Sequence, residues 1–236
     1  YEPNLIFFMC GIVGIFGEKE LSNLGNCIEK MTETLLHRGP DSSGTWIDEE
    51  DKIALGHRRL SILELSEAGH QPMESLCGRY VISYNGEIYN FKYIRHDLVN
   101  AGHIFRSHSD TEVMLAAITE WGIENAVKRF IGMFAFALWD RNESVLYLVR
   151  DRLGIKPLYY GMLGGSIVFG SELKSLTAFP SFHKEIDRNA LTLMLRYNYI
   201  PAPYSIYENV YKLLPATIAT IRRGYPGAGM SSPKSL

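Results

Sequence analysis

The stretch MCGIVGIFG, Met9 to Gly17, is β-branched, punctuated by glycine and free of charge, a pattern that predicts a buried strand. From Leu21 to Leu36 the apolar residues fall at helical spacing (Leu24, Ile28, Met31, Leu35), predicting an amphipathic helix. Short strand signals follow at Gly44–Ile47, Ile53–His57 and Tyr80–Tyr84. Ser109 and Glu112 have the spacing of a capping box and open a helix that runs to about Trp121. Met133–Trp139, Val145–Val149, Leu158–Gly161 and Ile167–Gly170 read as further strands, the last two joined through a Gly164-Gly165 hairpin turn. Ile186–Tyr199 reads as one helix, broken by Pro201 and Pro203, with a short extended piece to Ile221. Many short strands in hairpins with a few helices predict an α+β fold rather than a parallel βαβ sheet.

Composition narrows the picture. A chain of 236 residues that is 46% hydrophobic supports one sizeable core, or one domain with an appendage. A formal net charge of −2 leaves no polybasic groove for nucleic acid and no basic patch for a membrane. Three cysteines, Cys10, Cys27 and Cys77, argue against a disulfide framework, and no Cys/His spacing fits zinc. The reading is a cytoplasmic protein, without a structural metal, that handles small molecules. The uncharged run from Leu5 to Gly17 resembles part of a signal-peptide core, but it lacks a basic leader and falls short of the ~20 residues of a membrane span. The chain begins with Tyr1 and its first methionine is Met9, so residues 1–9 are expected to be an upstream extension or a removed segment.

Several positions offer chemistry, each with a bland counterpart. Cys10 follows Met9; with Met9 removed, its α-amine (reference pKa about 7.7–8.0) sits close to its thiol (about 8.5) and can act as that thiol's own base. The alternative is a structural cysteine at a strand start. His37-Arg38-Gly39-Pro40-Asp41 is a polar turn that either lines a site or is solvated. Arg58 and Arg59 point to opposite faces if extended, so either one of them enters a pocket, where a guanidinium fork can take a carboxylate, or both are surface charges. Asn85-Gly86 is either a hairpin turn or a pair of donors, side-chain amide and main-chain N–H, for one developing oxyanion. Asp110 either caps a helix or holds an ammonium group. Arg150 to Pro157 is a charged turn between strands.

Together these pieces resemble the class II, N-terminal-nucleophile glutamine amidotransferases. The matching stretches are MCGIVGIFG, HRGPDSSG (37–44), LGHRRLSI (55–62), YNGEIYN (84–90), SDTEV (109–113), GMFAFALWD (132–140), RDRLGIKPLYYG (150–161) and FGSELKSL (169–176), in family order across about 9–221. HRGPDSSG and NGEIYN are similar to the asparagine synthetase forms. The resemblance implies a four-layer αββα sandwich with two antiparallel sheets between helical layers. It implies an amidotransferase domain over 10–180, a connector over 181–221 towards an ATP-dependent synthetase domain, and a disordered or non-native tail over 222–236. By resemblance Cys10 is the nucleophile, Asn85 and Gly86 the oxyanion donors, Arg59 the partner of the glutamine α-carboxylate, and Glu87 and Asp110 the partners of its α-amino group. L-glutamine is the expected ligand. No cofactor is expected for the glutaminase step; ATP and magnesium belong to the synthetase domain, which does not appear in the chain, as after a truncation or frameshift. The partners expected are that domain or a second copy. Two other outcomes stay open: an inactive remnant serving as an interaction module, and a glutaminase half serving a different acceptor.

Overall fold

The structure, a computed structural model, describes residues 9–17, 23–60, 69–223 and 234–235. Two six-stranded sheets pack face to face, and among the described residues their strands pair antiparallel throughout. The first holds β1 (Gly11–Gly17) at its centre, between β3 (Ile53–Arg59) and β9 (Ser166–Gly170), with β2 (Ser42–Asp48) beyond β3, and β8 (Tyr159–Leu163) and β10 (Val210–Lys212) beyond β9. The second runs β12 (Lys234–Ser235), β11 (Thr217–Arg222), β7 (Val145–Arg150), β6 (Gly132–Asp140), β5 (Tyr80–Ile88) and β4 (Met73–Glu74).

Strand alternation decides what each face does. On β1 the even residues Ile12 and Phe16 enter the core between the sheets, with Ile53, Leu55, Val81, Ala135, Ala137, Trp139 and Phe169. The odd residues Val13 and Ile15 face outward onto α1 (Leu24–Glu33) and α5 (Leu173–Thr177), meeting Leu24, Ile28, Met31, Leu35 and Leu176. On β5 the even residues Tyr80, Ile82, Tyr84 and Ile88 pack against α2 (Phe91–Asn100), α3 (Asp110–Trp121) and α4 (Ile123–Arg129). Three stacked cores therefore make four layers, αββα, as expected. Each fully buried Leu, Ile or Phe adds about 1.5–3 kcal/mol over an exposed one.

Local signals explain most of the elements. Asn23 accepts the Asn26 N–H and caps α1, and Asp187 caps α6 (Arg188–Tyr197), which ends at Asn198 in the left-handed region with φ 60°. Gly164 and Gly165 turn the β8–β9 hairpin with φ of 58° and 84°, which glycine adopts without a Cβ penalty. The capping box expected at α3 does not form as read. Ser109 caps the Thr111 N–H, but Glu112 turns back instead to the N–H groups of Arg106 and Ser107 and to the Ser107 hydroxyl. Asn85-Gly86 is not a turn either: both residues lie inside β5, paired with Ala135 and Phe134. A Cβ on Gly86 would come within 2.3 Å of the Met133 carbonyl oxygen, so glycine serves close strand approach there.

The segment read as a connector, 181–221, supplies β10 to one sheet and β11 to the other. Arg222, read as the start of a disordered tail, closes β11, and Lys234–Ser235 pair with that strand. The expected extension over 1–8, the helix start at Leu21 and the tail residues 224–233 lie outside the described residues.

Candidate active site

The core between the sheets turns polar at one end. On β3 the apolar sequence Ile53, Leu55 leads on the same face to His57 and then Arg59, while Arg58 points the other way and its Nε donates to the Gly39 carbonyl at 2.9 Å. On β5 the inward residues run Val81, Ser83, Asn85, Glu87. Two bonds tie the sheets here: Ser83 Oγ donates to the Gly56 carbonyl at 3.0 Å, and the His57 Nε2–H donates to the Tyr84 carbonyl at 3.0 Å. His57 is buried and its pKa falls to about 3, chiefly through that burial, so the ring is neutral.

Beyond these ties opens a cavity of about 390 Å³. Cys10, Arg59, Asn85, Gly86, Glu87 and Asp110, the six residues singled out from the sequence, all line it. Met9, Leu60, Gln71, Tyr84, Thr111 and Lys156 line it as well.

Cys10 immediately precedes β1 and is partly buried. Its Sγ exchanges contacts with the backbone of Leu60, donating to the carbonyl at 3.6 Å and accepting the Leu60 N–H at 3.4 Å. Burial pushes the thiol pKa up; the Leu60 contact and the charges of Arg59, Lys156 and Arg38 oppose that rise. Arg38, from the HRGPD turn, is nearly buried. It holds the Cys10 carbonyl through Nε at 3.0 Å and Glu172 through Nη1 at 2.9 Å. Arg38 therefore ties this turn to the backbone of Cys10, while His37, Pro40 and Asp41 stay exposed.

The open edge of β5 carries the second feature. Side-chain amide Oε1 of Gln71 accepts the Tyr84 N–H at 2.7 Å, and Asp110 Oδ2 accepts the Ile88 N–H at 3.0 Å. Since N–H direction alternates along a strand, the Gly86 N–H points to the same edge, between those two capped groups. Its opposite number on β6, Phe134, is engaged with Asp151 instead: the Phe134 N–H goes to Asp151 Oδ2 at 3.1 Å and the Asp151 N–H to the Phe134 carbonyl at 2.8 Å. Asn85, 1% exposed, has a buried Nδ2 with no hydrogen-bond partner. An orphaned buried donor costs about 1–3 kcal/mol, and this one lies in the wall of the cavity beside the Gly86 N–H.

Asp110 is the first residue of α3, as its capping position suggested, yet its carboxylate turns into the fold. The Tyr84 hydroxyl donates to its Oδ2 at 2.8 Å. Burial raises the Asp110 pKa, countered by the Ile88 N–H and the Tyr84 hydroxyl. Gln71, Tyr84 and Lys156 had no assigned part in the sequence reading. Tyr84 and Lys156 fall inside the quoted motifs, but nothing in a linear sequence marks their burial.

This arrangement brings a thiol, two N–H donors, a guanidinium and two carboxylates to one cavity, a complement suited to acyl transfer from a zwitterionic amide. Among the described residues no helix is long and apolar enough to cross a membrane. The fold is similar to that of glutamine phosphoribosylpyrophosphate amidotransferase from Bacillus subtilis, with a TM-score of 0.70 over 96% of this chain and 49% of that one, at 20% identity. Asparagine synthetase [glutamine-hydrolyzing] 1 of Bacillus subtilis is 40% identical over 217 residues, 91% of this chain and 34% of the relative. A putative asparagine synthetase [glutamine-hydrolyzing] 2 of Methanocaldococcus jannaschii is 39% identical over 225 residues, 87% of this chain and 42% of the relative. The chain thus spans well under half the length of these relatives. Residues 9–227 match the family model described as a glutamine amidotransferase domain, and the chain belongs to that family.

Proposed function

We propose that the domain hydrolyses L-glutamine to L-glutamate and ammonia through a thioester on Cys10. The observation that carries the reading is the unpartnered Asn85 Nδ2, buried next to the Gly86 N–H in the cavity that also holds the thiol. Burial raises the thiol pKa, so the nucleophile needs a base. With Met9 removed, the α-amine of Cys10 is one, built into the same residue. It takes the thiol proton as Sγ attacks the side-chain amide carbon. The oxyanion that forms is held by Asn85 Nδ2 and the Gly86 N–H. Collapse of the intermediate breaks the C–N bond, the amine returns its proton to the departing ammonia, and water then hydrolyses the thioester.

Recognition follows charge. Arg59 takes the α-carboxylate, and Glu87 and Asp110 take the α-ammonium. The bonds of Asp110 Oδ2 to Tyr84 and Ile88 hold that carboxylate in one orientation. The names of the relatives, glutamine-hydrolysing asparagine synthetases, support use of the ammonia in asparagine synthesis; the resemblance stated above makes an ATP-activated aspartate on a synthetase domain its acceptor. Ammonia release by protein beginning at Cys10, and its loss in Cys10→Ala with glutamine binding retained by calorimetry, tests the reading. Turnover retained in Cys10→Ala would overturn it.

A further inference from the structure

One charge in the cavity is used by none of these steps. Lys156 is 4% exposed and its side chain lines the cavity together with Cys10. Among the described residues no carboxylate lies within ion-pair distance of its ammonium. Its Nζ donates instead to the Met9 thioether at 2.8 Å, a weak acceptor. A buried ammonium without a counter-ion is costly, and here the backbone holds it in place regardless. Asp151, fully buried, accepts the N–H groups of Leu153, Ile155 and Lys156 and that of Phe134, so the 151–156 loop is pinned to β6 beside the oxyanion donors.

We propose that Lys156 supplies the counter-charge to the Cys10 thiolate, acting as a positioning residue for the nucleophile; this rests on the reading of Cys10 given above. The thioether that now occupies the ammonium belongs to Met9, the residue whose removal exposes the Cys10 amine. Processing therefore frees the base and the cation in the same event. The other charged groups facing Cys10 and Lys156 are Arg59 on β3, Arg38 on the turn after α1, Glu87 on β5, Asp110 on α3 and Asp151 on the loop itself. Arg38 holds Glu172 and the Cys10 carbonyl and lies outside the cavity lining, Asp151 is committed to backbone N–H groups, and Arg59, Glu87 and Asp110 are assigned to substrate. Lys156 is the cavity-lining cation left for the sulfur. Burial and the Arg38 charge drive its own pKa down, and the Cys10 charge opposes that fall.

The test reads the sulfur rather than turnover. Protein beginning at Cys10, in which the Met9 thioether no longer holds the ammonium, is alkylated with iodoacetamide across pH, and the Cys10, Cys27 and Cys77 peptides are followed by mass spectrometry, since only the thiolate reacts. Lys156→Met is expected to move the Cys10 midpoint upward by about one pH unit and to slow its alkylation at neutral pH about tenfold. Cys77, remote from the cavity, keeps its profile, and Lys156→Arg keeps the parent midpoint for Cys10. A Cys10 midpoint unmoved in Lys156→Met overturns the proposal, and so does one displaced in Lys156→Arg. Alkylation needs no glutamine, so that result would leave the glutaminase reading to stand or fall on the Cys10→Ala assay.

Discussion

Replacing Asn85 by the nearly isosteric Leu should make the protein more stable and far less active. Asn85 Nδ2 is buried and unpartnered in the substrate-free fold. Such a donor costs about 1–3 kcal/mol, and an apolar group of the same shape removes that cost. Some packing fit is lost in exchange, so the expected net gain is about 1 kcal/mol. For a domain of this size that raises Tm by about 2–4 °C. The oxyanion exists only on the way over the barrier, so the donor acts on turnover and hardly on ground-state binding. Losing one such donor while the Gly86 N–H remains should lower kcat by about 100- to 1000-fold, roughly 2.7–4 kcal/mol, with KM nearly unchanged. Asn85→Asp serves as the control. It keeps size and polarity but sets a carboxylate against the developing oxyanion, and it should lose both activity and stability. The assay pairs differential scanning calorimetry with ammonia release at saturating glutamine, on protein beginning at Cys10. Two results would refute the reasoning: Asn85→Leu turning over within about threefold of the parent, or its destabilisation by several kcal/mol as though a structural hydrogen bond had been lost.

Two further outcomes follow from the site's neighbours. His57 is neutral in the fold, with a pKa of about 3, while the unfolded chain titrates near 6.5, so protons bind the unfolded state preferentially as pH falls below 6.5. Stability should drop by about 3 kcal/mol between pH 7 and pH 4, and urea titrations should show a shallower loss in His57→Gln; parallel losses in the two proteins would contradict this. Arg59→Lys keeps the charge and loses the two-point fork, so KM for glutamine should rise about tenfold or more with a smaller change in kcat, whereas Arg58→Lys, on the opposite face of β3, should be near-silent in steady-state kinetics.

Much of this was legible in the sequence because the relevant signals are local and periodic. Alternation along Ile53–Arg59 correctly sends Arg58 and Arg59 to opposite faces. Leu24, Ile28, Met31 and Leu35 mark the buried stripe of α1 in advance. Short helices were harder. α2 lacks a side-chain cap, with Asn90 bonding across to Arg129 and Ile131, and α4 and α5 are too short for a clear period. Asn85-Gly86 carries a hairpin signature, yet tertiary pairing with β6 keeps both residues extended. The capping-box spacing at Ser109 and Glu112 fails because Glu112 finds three donors in the preceding loop. Within the site, motif residues could be listed but their satisfaction could not. The orphaned Asn85 Nδ2, the Gln71 cap on Tyr84 and the counter-ion-free Lys156 exist only once strands from two sheets and the 151–156 loop are brought together.

The central claim is that this fold hydrolyses glutamine with Cys10 as nucleophile and its own amine as base. The most direct measurement is acid-quenched mass spectrometry, with ammonia release, on two proteins mixed with L-glutamine: one beginning at Cys10, one retaining residues 1–9. A glutamyl adduct on the Cys10 peptide and steady ammonia release are expected from the first, and neither from the second, whose Cys10 nitrogen is an amide and not a base. Equal ammonia release from both proteins, or an adduct on Cys27 or Cys77 instead, would contradict it.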